Sequence, residues 1–188
     1  MSQDLSENEA GKVIENRTEF KLYAAERHLN NLKGLEQKDS NVRLFKERIP
    51  WEMEIEPFVF HIVGVRDSLL VKINDKLGLR LKEEEVNMKS IGNKLNQLNE
   101  QNLLTDLGNL DSDNCFQILK KLRNQSTHRT LINVQFRHEI GTGGSDERKV
   151  FFVADPDKRL EVIPFLETSL QKVKLLLQTI IKNDPRLK

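Results

Sequence analysis

The sequence predicts an all-α, mainly helical protein: an up-and-down bundle of four to five helices with a small β-hairpin before the last helix. Three observations lead there. Apolar residues recur at three- and four-residue steps through several long segments, the spacing that lines up one helical face. One short stretch after residue 130 changes to β-prone runs around the turn residues GTGGSDE. No internal repeat or low-complexity block divides the chain, so the elements share one core.

Residues 1–15 are polar and interrupted by Gly11, which reads as a flexible lead-in to a single helical domain over 16–188. From Asn16 to Gln37, Leu22, Ala25, Leu29 and Leu32 mark the first helix. Lys38 to Glu56 mixes charges with Phe45, Ile49, Pro50 and Trp51, and the proline argues for a connector packed by its aromatics. Pro57 suits a first helical turn, and Phe58, Val59, Ile62, Val63, Val65, Leu69, Leu70, Ile73 and Leu77 then cover a wide arc, so this helix is central. Arg66 falls inside that arc and is its oddest residue.

After Gly78, the acidic run Glu83 to Glu85 favours a helix start, and Met88, Ile91, Leu95 and Leu98 continue it. Leu103 to Asn109 reads as a loop. Ser112 or Asp113 then caps a helix carrying Cys115, Phe116, Leu119 and Leu122. Leu131, Ile132, Val134 and Phe136 form one β-prone run and KVFFV the other, ended by Asp155 and Pro156. Ile163, Leu166, Leu170, Val173, Leu177 and Ile180 alternate three and four apart along the final helix, a narrow seam suited to a bundle partner.

Composition narrows the function classes. At 188 residues with 37% apolar and 31% charged side chains, the chain can bury a core and solvate its surface. Thirty basic residues balance twenty-nine acidic ones, so no global positive field advertises nucleic acid, and any RNA contact is local. The single cysteine, Cys115, excludes an internal disulfide and a cysteine zinc cluster within one chain, which fits a reducing cytoplasm. Neither a signal segment nor an apolar run of bilayer-spanning length is evident, so a cytoplasmic, non-membrane protein is expected.

The segment that can carry chemistry is Arg123-Asn124-Gln125-Ser126-Thr127-His128, an R-N-x-x-x-H pattern at the end of a short amphipathic helix. Metal-free RNA cleavage uses the ribose 2′-hydroxyl as nucleophile. It needs one proton removed, another delivered to the departing 5′-oxygen, and extra phosphoryl charge stabilised. Histidine serves either proton role near neutral pH, and arginine holds phosphate oxygens through two parallel hydrogen bonds. One His and one Arg make half a site, so a twofold dimer is expected to complete it. Five helical steps place positions 123 and 128 about 140° apart, so within one chain they converge only if the helix ends or distorts between them.

This motif within a helical bundle resembles the HEPN superfamily, whose members carry an R-x4 to x6-H motif toward the C-terminal half, often with Asn after the Arg. The resemblance implies a metal-independent endoribonuclease of the toxin or defence type acting on RNA as a homodimer, without a cofactor. It implies Arg123, Asn124 and His128 as the catalytic set, and allows a protein or nucleotidyltransferase antitoxin as a further partner.

Local charge supports an RNA surface. Between Gln117 and His138 stand Lys120, Lys121, Arg123, Arg129 and Arg137 with no Asp or Glu. Lys120, Lys121 and Arg129 are the candidate RNA contacts, against the alternative that Lys and Arg simply gather at a helix C-terminus. Arg66 and Asp67 are candidates for a supporting layer behind the site, with a structural ion pair as the plainer account. His28, His61 and His138 show no metal-ligand spacing, and no metal is expected. GTGG lacks the ending of a phosphate loop and reads as a turn. The rival function is a HEPN-like RNA- or nucleotide-binding or protein-interaction module without turnover. A third reading is an unrelated helical interaction protein.

Overall fold

The computed structural model describes residues 6–38, 45–128, 132, 134–140, 146–155 and 158–187. Among these are seven α-helices, a three-stranded antiparallel sheet and two short 3-10 turns. The helical class and a sheet ahead of the last helix agree with the expectation, while several boundaries differ for identifiable reasons.

Part of the polar lead-in is helical. Helix α1 spans Glu7–Glu15, opened by a capping box in which the Glu9 N–H donates to the Ser6 hydroxyl oxygen and Glu9 accepts from the Ser6 N–H. None of its residues is buried, so capping rather than a core seam defines it. Helix α2, Arg17–Lys38, begins where the Asn16 side chain accepts from the N–H groups of Thr18 and Glu19. It buries Leu22, Ala25, Leu29 and Leu32, the four residues that the period selects.

The expected connector over 38–56 is instead largely helix. Helix α3 runs 32 residues, Phe45–Lys76, straight through Pro50 and Pro57. An interior proline costs about 3 kcal/mol. Trp51, Ile55, Phe58 and Ile62 lie four, three and four apart and are all fully buried, each worth roughly 1.5–3 kcal/mol. Continuous burial outweighs two lost backbone bonds.

A 3-10 turn, Glu83–Glu85, leads to α4, Met88–Gln97, capped by Asn87. The expected loop at Leu103 to Asn109 is also a helix, α5, Gln101–Ser112. Leu103, Leu107 and Leu110 keep helical spacing and bury themselves. Asp113 caps α6, Asn114–His128, accepting from the Phe116 N–H at 3.1 Å.

Strands β1, Val134–Ile140, and β2, Asp146–Asp155, pair antiparallel from Val134 opposite Phe152 to Ile140 opposite Asp146. A third strand, β3, Lys158–Glu161, enlarges the expected hairpin. Its sequence KRLE carries no β-prone pattern, and pairing along β2 determines it. Helix α7, Val162–Asn183, buries all six seam residues. Phe152 docks edge-on to Phe165 at 5.9 Å, fastening sheet to helix. One core joins these elements, with α3 packed along α2 and against α6, and α7 against α2 and α5. No helix among the described residues is long and apolar enough to cross a membrane.

Candidate active site at the junction of helices α3 and α6

The site follows from how α6 divides its circumference. Phe116, Leu119 and Leu122 are buried and fix one side of the helix in the core. Lys121 and Asn124 stand on the opposite, exposed side, and the helical repeat places position 128 on that same stripe. Arg123 lies between the two, half-buried at the rim. Because α6 stays helical through His128, positions 123 and 128 remain about 140° apart around the axis, without the break that would bring them together in one chain. The His128 side chain and all of Arg129 lie outside the described residues.

Arg123 reaches across to α3. Its Nη1 donates to Asp67 Oδ2 at 2.9 Å. The other carboxylate oxygen accepts from Arg66 Nε at 3.1 Å and Nη2 at 2.7 Å, and Arg66 Nη1 donates to Asp111 Oδ1 at 2.6 Å. Lys120 Nζ completes the chain, donating to Asp111 at 3.1 Å. Lys120, Asp111, Arg66, Asp67 and Arg123 thus form one alternating network linking the end of α5 with α3 and α6.

Arg66 is the most enclosed member of this network, with 12% of its side chain exposed. Its guanidinium stands 5.6 Å from the Phe116 ring centroid. An arginine in an otherwise apolar arc is accounted for: two carboxylates and an aromatic face replace its hydration. Burial raises the Asp67 carboxyl pKa, but hydrogen bonds from Arg66 and Arg123 outweigh it and hold that pKa below the ordinary range. Asp111 behaves likewise, with burial opposed and overcome by Arg66 and Lys120. Both acids are therefore anions at neutral pH.

A cleft of about 460 Å³ opens beside Arg123, lined by Glu52, Met53, Glu56, Pro57 and Phe60 of α3 and by Ser126 and Thr127 of α6. The Thr127 hydroxyl donates to the Arg123 carbonyl oxygen at 2.8 Å, tying down the last turn. Glu52, which the motif does not include, receives a 3.3 Å hydrogen bond from Arg48 on one oxygen, while the other is buried without a partner among the described residues. Burial pushes its pKa up, against the opposing pull of Arg48.

The structure thus brings Arg123, Asp67, Arg66 and Lys120 together and leaves Asn124 and Lys121 on a neighbouring face. Lys120 is already shared with Asp111. His28 and His61 stack at 5.7 Å, with His28 hydrogen-bonded to Glu54 at 2.7 Å. Among the described residues no three His, Cys, Asp or Glu side chains gather as a metal-binding group. Cys115 is partly buried against the core. The Gly141 to Gly144 turn lies outside the described residues.

The family model matching this chain describes a Cthe2314-like HEPN family and covers residues 52–183, from the cleft side of α3 to the end of α7. No curated protein and no solved structure matches the chain.

Proposed function

This chain belongs to the HEPN superfamily, and on that footing we propose that it is a metal-independent endoribonuclease of the toxin or defence type. The observation that carries the reading is Arg123, of an R-N-x-x-x-H motif, held by Asp67 at the rim of an open cleft. A guanidinium restrained on one nitrogen and facing a cleft is suited to receive a phosphodiester and to neutralise the charge that builds on phosphorus.

In this reading the ribose 2′-hydroxyl attacks phosphorus, and the P–O5′ bond breaks to leave a 2′,3′-cyclic phosphate. His128 acts as the acid or base, Arg123 holds the non-bridging oxygens, and Asn124 orients the His or the phosphate. Lys120, Lys121 and Arg129 contact flanking phosphates, and Lys120 contributes less because Asp111 already shares its charge. Arg66 and Asp67 are positioning residues for Arg123. With positions 123 and 128 on different sides of one helix, two copies of the chain assemble the site, so the active form is a homodimer. The protein acts in the cytoplasm as a single helical domain over 16–188, and a protein or nucleotidyltransferase antitoxin restrains it.

One observation favours a binding module without turnover: Arg123 and Lys120 are both engaged by carboxylates of the chain itself. Turnover by the purified protein separates the readings. RNA cleavage that falls by about 100-fold or more in His128→Ala and Arg123→Ala supports the ribonuclease. RNA binding with no turnover in any form supports the module.

A further inference from the structure

Lys21 is a cation at this site that the R-N-x-x-x-H motif does not include. It sits on α2, where the period of the apolar face gives it no role. Its side chain crosses α3 at Gly64, where the absence of a Cβ leaves room for it. A Cβ there would stand 3.1 Å from the Lys21 Cδ and 3.2 Å from its Cε, with Nζ closer still. The ammonium lies 5.1 Å from the Phe60 ring centroid. Burial, with Arg17 and Arg123, disfavours its charge more than Asp67 favours it, so its pKa lies below that of an ordinary lysine. Asp67 accepts its hydrogen bonds from Arg66 and Arg123, and no carboxylate hydrogen-bonds to Lys21 among the described residues. A partly buried ammonium next to a second cation, without its own acceptor, is arranged for an anion supplied from outside.

Phe60 supplies the other half. It lines the Arg123 cleft, and 54% of it is exposed although it is a large aromatic side chain. An exposed ring beside cations is the combination that single-stranded nucleic acid recognises, with a base on the ring and phosphates on the charges.

We propose that Lys21 and Phe60 form a nucleotide subsite next to Arg123, in which Phe60 stacks one base of single-stranded RNA and Lys21 holds the phosphate neighbouring the one on Arg123. Gly64 is part of the subsite because it opens the path by which Lys21 arrives. The inference rests on reading this cleft as an RNA site, but it does not require cleavage.

The test measures binding of a 2′-O-methyl RNA hexamer, which lacks the nucleophile, by calorimetry at several salt concentrations. Lys21→Met is expected to weaken binding about tenfold, as loss of one charge-assisted bond does. The slope of log affinity against log salt should fall by about 0.7, the share of one phosphate on a single strand. Phe60→Leu should weaken binding about tenfold through lost stacking while leaving that slope unchanged. Gly64→Ala should mimic Lys21→Met in the slope, because the charge remains but is displaced. Native circular dichroism of each variant accompanies the titrations. Wild-type affinity in Lys21→Met, or weaker binding with an unchanged slope, would overturn the subsite. So would a wild-type chain that does not bind the hexamer. Wild-type binding that depends on Lys21 and Phe60, in a protein that never cleaves RNA, would uphold the subsite and defeat the ribonuclease reading.

Discussion

Arg123 and Asp67 meet at 2.9 Å across 56 residues of sequence, joining the chemical motif of α6 to the long helix α3. Asp67 also carries two hydrogen bonds from Arg66, so it is a fixed anchor rather than a swinging surface carboxylate. This relationship makes the aim of Arg123 depend on α3.

Asp67→Asn keeps size and one acceptor oxygen but removes the charge. The single-turnover rate of RNA cleavage should fall about tenfold, a loss of roughly 1.4 kcal/mol in barrier height. In Arg123→Ala the same change should cost almost nothing more, because its only route to the substrate is gone. Additive losses in the double variant would show that Asp67 does not act through Arg123.

Arg66→Met fills similar space but leaves Asp67 and Asp111 without their main donor. Chemical denaturation should show a loss of about 2–3 kcal/mol, reduced from the fully buried limit because both carboxylates reach solvent. Arg66→Lys should recover only part, since one ammonium cannot span both acids. An unchanged unfolding midpoint in Arg66→Met would remove the network from the account of stability.

How much of this was legible follows from range. The seam of α7 was readable because one helix buries a regular stripe, and all six of its residues are in the core. Proline misled locally. Pro50 argued for a connector, and Leu103 to Asn109 reads as a loop, yet burial of Trp51 and Ile55 in the one and of Leu103 and Leu107 in the other makes both segments helical. Strand β3 had no pattern of its own to read. At the site, R-N-x-x-x-H is a local pattern and visible as such. The pairing of Asp67 with Arg123 depends on the packing of α3 against α6, and the only signal was an arginine placed in an apolar arc. Lys21 gave no signal, because its path depends on Gly64 of another helix.

The helical assignment of α5 carries its own test. Leu107 is 1% exposed, so Leu107→Ala should destabilise the protein by about 2–5 kcal/mol through lost burial and a cavity. A residue in a surface loop would change stability by less than about 0.5 kcal/mol. Urea unfolding of this variant decides between them.

The acids predict a pH response of two signs. Asp67 and Asp111 have folded pKa values below their unfolded ones. Their stabilisation is present above the unfolded carboxylate pKa and is lost as pH falls through the folded values. Glu52 is the reverse: its raised pKa means that its contribution is greatest below the unfolded value and is lost as pH rises through the folded one. Unfolding midpoints followed from about pH 3 to pH 7 should show a shallower acid loss in Asp67→Asn with Asp111→Asn, and a smaller decline toward neutral pH in Glu52→Gln. Profiles identical to wild type would contradict these assignments.

The most direct test of the central claim is the chemistry of the cut end. Purified protein, in excess chelator, is given an RNA and a matched strand with one 2′-deoxy sugar at the cleavage position, and the products are identified by mass. The account predicts cleavage of the RNA to a 2′,3′-cyclic phosphate or its 3′-phosphate hydrolysis product, and resistance of the deoxy strand at that position. Cleavage of the deoxy strand, a 5′-phosphate product, or activity abolished by the chelator would contradict it.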